Sequence, residues 1–128
     1  REGAAAVEFA VVAPVFFIII LGIVEISRGL MVMGLLNNSA RIGARTAVLQ
    51  GKSNSDVTSA VSASVSAVGL SGTTTTVYVN GTVADISSAK TDDVIGVTVS
   101  IPISSISWVP NVRFLTGNIT GSAYLLRN

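Results

Sequence analysis

The sequence predicts an α+β fold, in which a long N-terminal hydrophobic α-helix carries a short second helix and a small antiparallel β-sheet. Residues 9–24 contain no charged side chain. A helix-compatible pattern continues from there to Gly51, and after Gly72 the apolar residues alternate with a period of two. We therefore divide the chain into a hydrophobic helical stem, residues 1–51, and an α+β head, residues 52–128.

The stem is too long to be covered by this head. A continuous helix from about Ala4 to Gln50 would measure roughly 70 Å at about 1.5 Å per residue. Gly51 is the kind of residue that follows a helix end. Pro14 lacks a backbone donor, so a kink or a locally unwound turn is expected there. We expect the stem to lie in a membrane, in a bundle of its own copies, or in each at different times.

The head is predicted to begin with a short amphipathic helix. Asn54 or Ser55 can cap its start, and Asp56 is favoured in its first turn. Valines then recur at intervals of four, four and three residues, and the pattern ends near Gly69. The predicted apolar stripe consists of Val57, Val61, Val65 and Val68.

The rest of the head has the pattern of a β-sheet. Residues 73–79 are β-branched and aromatic, and Asn80-Gly81 is the strongest turn signal in the chain. Further strands are predicted at residues 82–86, 95–103 and 119–126, with a turn at residues 90–93. Pro102 cannot donate to a strand ladder, so its end of the strand is expected at an edge or a bulge. Residues 108–110 and 114–115 are expected in a connecting loop.

Composition excludes several classes of function. The net charge of +1 gives no electrostatic basis for binding nucleic acid. The chain has no Cys and no His, which excludes thiol nucleophiles, disulfides and histidine acid–base chemistry. Asp85, Asp92 and Asp93 lack the spacing of a calcium-binding loop. We expect no enzymatic activity, no cofactor and no metal site.

Small residues in the stem are candidates for close helix contacts. They form rows at four-residue spacing, and such rows let helix backbones approach each other. An equally simple explanation is that Ala and Gly are common in any membrane helix. Gly22 and Gly29, seven residues apart, face the same way. The two rows consist of Ala6, Ala10 and Pro14, and of Ser39, Gly43 and Ala47.

The charged residues of the stem are the second group of candidates. A carboxylate beside a long apolar run is costly unless it is paired. Glu8 therefore either sits at a membrane interface or pairs with a positive group from another chain. Glu25 and Arg28 are three residues apart on one helical face, and the spacing predicts a local pair.

These residues carry a family resemblance. The segment GAAAVEFAVVAPVF, the cluster of Gly22, Glu25 and Arg28, and the segment ARIGARTAVL resemble the TadE-like family of pilin-like proteins. The C-terminal VTVSIPI and NITGSAYLLRN also look like the end of that family. The resemblance implies a type IV pilin-like subunit of lollipop shape, made as an inner-membrane precursor.

The resemblance also implies a processing step and a role for Glu8. A prepilin peptidase would cut after Gly3, leaving Ala4 first and Glu8 fifth. Glu8 would then pair with the N-terminal amine of an adjacent subunit. Because residues 1–3 are present in this chain, processing would instead occur before Arg1 or not at all. Arg1 then becomes an alternative partner for Glu8.

Three functions compete. The first is a filament subunit that polymerises with copies of itself through the stem, moving from the bacterial inner membrane to an extracellular surface filament. The alternative is a single-pass inner-membrane component of a Tad-type pilus or secretion machine, in contact with other machinery proteins. The third, a secreted β-rich domain with a cleaved signal peptide, is disfavoured because no Ala-x-Ala site follows the apolar run.

Membrane orientation stays open. Arg41, Arg45 and Lys52 follow the apolar run, whereas only Arg1 precedes it. The positive-inside rule then favours a cytoplasmic head. A basic leader ahead of Arg1 would reverse that orientation.

Overall fold

The computed structural model describes residues 1–108 and 116–128. It shows the predicted α+β architecture, with one long N-terminal helix, one short helix and a four-stranded antiparallel sheet. The predicted loop positions 109–110 and 114–115 lie outside the described residues. The elements are α1 (Glu2–Ala47), α2 (Asn54–Ala67), β1 (Thr74–Val79), β2 (Thr82–Val83), β3 (Val94–Pro102) and β4 (Asn118–Leu126), with single 3₁₀ turns at Ile86–Ser88 and Ile103–Ser105.

The sheet has the strand order β2-β1-β3-β4. Strand β3 is central and pairs with β1 on one side and β4 on the other, so that Val97 lies opposite both Val77 and Ala123. The β1–β2 hairpin closes at Asn80-Gly81, whose φ angles of 50° and 82° suit a tight hairpin turn. The turn prediction is confirmed at this position.

Strand β2 is shorter than predicted, because a local cap interrupts it. The Asp85 side chain accepts a hydrogen bond from the Ser87 backbone N–H and begins a 3₁₀ turn. The expected return strand to Ile86 therefore ends at Val83. Pro102 is the last residue of β3 and lies opposite Asn118 of β4. The ladder with β1 stops at Ser100, so Pro102 lies at an open edge on that side, as predicted.

The apolar residues of β3 form the centre of the core. Ile95, Val97, Val99 and Ile101 are at most 1% exposed, as the alternation predicted. Helices α1 and α2 cover this face of the sheet. On the opposite face, Gly96 leaves room for the Tyr124 ring, because a Cβ there would lie only 2.6 Å from it.

Helix α2 begins one residue earlier than predicted. Ser53 is its N-cap, and its backbone N–H donates to Asp56 Oδ2 at 2.8 Å, which places Asp56 in the first turn as expected. Val57, Val61 and Val65 are buried. The helix ends at Ala67, so Val68 lies beyond it and is 48% exposed rather than part of the stripe.

Helix α1 is continuous and consists of two unlike halves. It runs through Pro14 without an interruption, so the expected unwound turn is absent and one missing donor does not break the helix. We call residues 2–24 the free stem, because none of them is buried, and residues 25–47 the packed stem. The packed stem supplies the head core with Val32, Leu36, Ala40, Ala44 and Ala47, all 0% exposed.

Candidate functional site

The free stem is an apolar surface that the described residues of the head leave uncovered. Its large side chains are exposed, with Phe9 at 72% and Phe16 at 57%. The helix is long and apolar enough to cross a membrane, by length and composition. Because a patch of this size is far beyond the scattered apolar residues of soluble surfaces, it marks an association surface.

Glu8 lies in this apolar surface as an exposed carboxylate. In the described part of the chain, no ion pair or hydrogen bond joins it to another side chain. Arg1 is the N-cap of α1 and is also exposed. It precedes Glu8 by seven residues, which is about 10 Å along a helix axis. No described residue of this subunit pairs with Glu8, and pairing with a neighbour stays a prediction.

The first small-residue row faces outward. Ala6, Ala10 and Pro14 are all exposed. Gly22 is half-buried, and no atom of the described residues lies within 4 Å of a Cβ built on it. This edge of the free stem remains open to close approach by another helix.

The second row packs inside the subunit. Gly43 lies at a close contact, as its row predicted, but a Cβ there would lie 2.7 Å from Val61 Cγ2 and 3.0 Å from Val97 Cγ1. These atoms belong to α2 and β3 of the same chain. The assignment of Gly43 to a subunit interface is therefore corrected to a role in folding. Ser39 in the same row is 1% exposed, and its hydroxyl lies 3.0 Å from the Ser64 hydroxyl on α2.

Gly29 also faces the head rather than a neighbour. A Cβ built on it would lie 3.6 Å from Ile119 Cδ1 on β4, which is an ordinary van der Waals contact. Gly22 and Gly29 therefore have different surroundings. Among the described residues, the head packs against the second of them and not against the first.

Glu25 and Arg28 hold a loop of the head against the stem instead of pairing with each other. Glu25 is buried, and its Oε1 accepts hydrogen bonds from the Ser107 hydroxyl at 2.8 Å and from the Trp108 backbone N–H at 3.2 Å. Arg28 Nε donates to the Ile106 carbonyl. No ion pair joins Glu25 to Arg28 in the part of the chain that the structure describes. We call Glu25, Arg28 and residues 106–108 the neck.

The local pair was predicted from helical spacing alone, and tertiary contacts override it. Both side chains reach across about 80 sequence positions to backbone groups that need partners. The Arg28 guanidinium also lies over the Trp108 ring, with its carbon 4.4 Å from the ring centroid. The two residues thus act together, but through the loop that they share.

Two residues important for the head were missed by sequence reasoning. A Cβ on Gly121 would overlap the backbone of Leu36 and Asn37, so only glycine allows β4 to lie against α1 there. The Asn37 side chain accepts a hydrogen bond from the Ser122 backbone N–H at 3.1 Å. A glycine within an otherwise regular strand is a signal of close backbone approach and was the only available clue.

An apolar groove of about 210 Å³ lies beside the neck. The packed stem forms one wall, and residues at the ends of β3 and β4 form the other. It opens next to the free stem and continues the apolar surface toward the head. The groove is lined by Ile26, Gly29, Leu30, Met33, Ile103 and Ile119.

A long helix that packs one half on a small antiparallel sheet and exposes the other half is the α+β arrangement of pilin-like proteins. Residues 3–45 match the family of TadE-like proteins, which covers almost all of α1. The resemblance stated from the stem motifs is therefore confirmed over these residues, which make up about a third of the chain. No curated protein and no solved structure gives a significant match to the chain.

Proposed function

We propose that this chain is a pilin-like structural subunit that polymerises through its free stem into an extracellular surface filament. The free stems form the filament core, and the heads form its outer surface. Before assembly, the subunit is held in the bacterial inner membrane by the same apolar segment. Its partners are copies of itself, a prepilin peptidase and other proteins of the pilus machinery.

The observation that supports this proposal is the contrast in burial between the head, whose apolar side chains form a core, and the free stem, whose apolar side chains are exposed. The buried apolar side chains of the head form one cluster that includes the packed stem. The free stem contributes no buried residue to it, although its side chains are the largest apolar ones of α1. Only an environment outside the subunit, first lipid and then other stems, removes that surface from water.

Glu8 gives the assembly a directional contact. A carboxylate in a bundle of apolar helices is retained in charged form only if a cation or several donors meet it. The nearest basic side chain toward the C-terminus is Arg28, about 30 Å away along the axis. That guanidinium already binds the Ile106 carbonyl and the Trp108 ring. The cation for Glu8 is therefore either the N-terminal amine or the Arg1 side chain of a neighbouring subunit.

The test is Glu8→Gln, which keeps the shape and removes the charge. We expect normal membrane levels of the subunit, because the apolar run is unchanged, and at least a tenfold loss of filaments per cell. Filaments are counted by electron microscopy at matched membrane levels. Glu2→Gln is the control, since it removes a carboxylate about 1.7 helical turns away and is expected to leave filament counts unchanged.

Equal filament counts for Glu8→Gln and the parent would show that Glu8 is only a membrane-interface residue. The single-pass machinery component is distinguished by labelling. Antibody against the head should decorate the whole length of the filaments if the chain is their subunit. Label confined to the cell envelope, with filaments undecorated, would favour the machinery component instead.

A further inference from the structure

The neck lies one membrane thickness from Glu8. Twenty residues separate Glu8 from Arg28, which corresponds to about 30 Å of helix. The hydrocarbon core of a bilayer is also about 30 Å thick. Between these two residues, Glu25 is the only charged side chain, and it is buried against the loop of the head. A free stem that spans a bilayer with Glu8 at one surface therefore brings Arg28 to the other.

Trp108 has the position and the chemistry of an interfacial side chain. It is 64% exposed, although its backbone N–H is tied to Glu25 and its ring lies against Arg28. Indole rings concentrate at the headgroup level of membranes, where one part is apolar and the other meets water. An Arg guanidinium at the same level can contact lipid phosphate while the methylene groups of its side chain remain in apolar surroundings.

The exposed apolar side chains of α1 become few just beyond the level of Arg28. Ile26, Leu30 and Met33 are 53%, 63% and 42% exposed. Met33 lies five residues past Arg28, about 8 Å along the axis. The headgroup layer adds about 5–7 Å on each side of the hydrocarbon core. Beyond Met33, Ile42 at 36% is the one further large apolar side chain of α1 that is exposed. Most of the apolar surface of the stem thus lies within the hydrocarbon core and this layer.

We propose that the neck is a lipid-interface anchor, in which Trp108 and Arg28 dock into the phospholipid headgroup region and set the depth of the unassembled subunit. This inference rests on the membrane-held precursor of the proposed function. It adds a second contact between the subunit and the bilayer, made by Trp108 of the head and Arg28 of the packed stem rather than by the free stem. Because Glu25 and Arg28 hold the loop, the depth of the stem and the position of the head are coupled.

The chain contains a single tryptophan, so its emission reports on Trp108 alone. The full-length protein is reconstituted into phosphatidylcholine vesicles that carry bromine either near the headgroup or near the acyl-chain ends. We expect the shallow bromines to quench Trp108 at least twice as strongly as the deep ones. Two reporter variants in a Trp108→Phe background provide the scale. Phe16→Trp lies mid-stem, and Val83→Trp is equally exposed but at the opposite end of the sheet.

The reporters separate the two ways in which the inference can fail. Strong deep quenching of Phe16→Trp together with no quenching of Trp108 would show an inserted stem and a neck in water, which overturns the anchor alone. Absence of quenching at Phe16→Trp would show that the stem does not enter the bilayer, which overturns both the membrane-held precursor and the anchor. Shallow quenching of Trp108, deep quenching of Phe16→Trp and none of Val83→Trp would support the anchor.

Discussion

The two halves of α1 invert the usual relation between side-chain size and burial. The free stem exposes Phe and Ile side chains, whereas the packed stem buries Ala, Gly and Ser beside only a few larger residues. Small residues let α2 and the sheet approach the helix closely, and large ones leave a broad surface uncovered. The comparison teaches that close packing inside the subunit and association outside it use different parts of one helix.

The charged residues follow the same division. Glu25 in the packed stem is buried and bonded to Ser107 and to the Trp108 backbone. Glu8 in the free stem has no such contact among the described residues. Among the described residues, a carboxylate is thus hydrogen-bonded where the head reaches the helix and has no side-chain partner where the head does not. This difference supports the free stem as the proposed assembly surface.

Two truncations should show the largest difference between the packed stem and the free stem. Removal of residues 1–51 deletes Leu36 and Ala44 from the core along with the rest of the packed stem. Full burial of a Leu-sized side chain contributes about 1.5–3 kcal/mol, and whole domains are stable by only about 5–15 kcal/mol. We expect this variant to be unfolded by circular dichroism. Removal of residues 1–24 should leave a folded, soluble monomer, as measured by analytical ultracentrifugation.

A folded head after the longer deletion would show that the packed stem is dispensable. Oligomers formed by the shorter deletion would place an association surface in the head or on the packed stem. Either result would undo the division of α1 at residue 24.

The next largest effect is expected at Gly121. Gly121→Ala places a methyl group onto the backbone of Leu36 and Asn37, which cannot move independently of the helix. Overpacking costs about 1–3 kcal/mol, and we expect about 3 kcal/mol here. Gly34→Ala is the control, because no described atom lies within 4 Å of its Cβ and it should stabilise the helix by about 0.5–1 kcal/mol. Chemical denaturation of the full chain in mild detergent measures both.

Gly43→Ala should destabilise the subunit by less. Its new methyl group would meet the side chains of Val61 and Val97, which can shift, so we expect about 1–2 kcal/mol of lost folding free energy. The effect should appear in the isolated subunit, before any assembly. A variant of unchanged stability with defective filaments would restore Gly43 to the interface between subunits.

Acid should weaken the head through three turn carboxylates. Backbone N–H donors from Ser53, Ser87 and Lys90 hold the pKa of Asp56, Asp85 and Asp93, respectively, below the usual value of 3.8. A pKa lowered by folding adds stability above the unfolded value, and this stability is lost as the pH falls through the folded value. The melting temperature should therefore fall between about pH 5 and pH 2.

The effect of acid on the head is checked by comparison with Asp56→Asn. This variant removes one titrating group while keeping a hydrogen-bond acceptor at the start of α2. Its melting temperature should change less with pH than that of the parent. An identical pH dependence would show that Asp56 does not contribute to the acid sensitivity.

Local patterns were sufficient to predict most of the elements. The helical stem, the valine stripe of α2, the Asn80-Gly81 turn and the inward residues of β3 all depend on neighbours within a few positions. Hydrophobic periodicity and turn chemistry act over that range, and the structure confirms them. The errors at the α2 cap and at the end of β2 arose where Ser53 and Asp85 form local side-chain bonds that periodicity does not report.

The sequence by itself therefore determined that this protein has an apolar helical stem, a small sheet and a TadE-like N-terminal segment. Tertiary structure alone decided which half of α1 stays exposed and that Gly43 packs within the subunit. It also decided that Glu25 and Arg28 bind residues 106–108 of the head. The physical reason is sequence distance. Arg28 meets Ile106 across 78 positions, and Glu25 meets Ser107 across 82. Contacts of that range depend on how the sheet docks onto the helix, which no local pattern encodes.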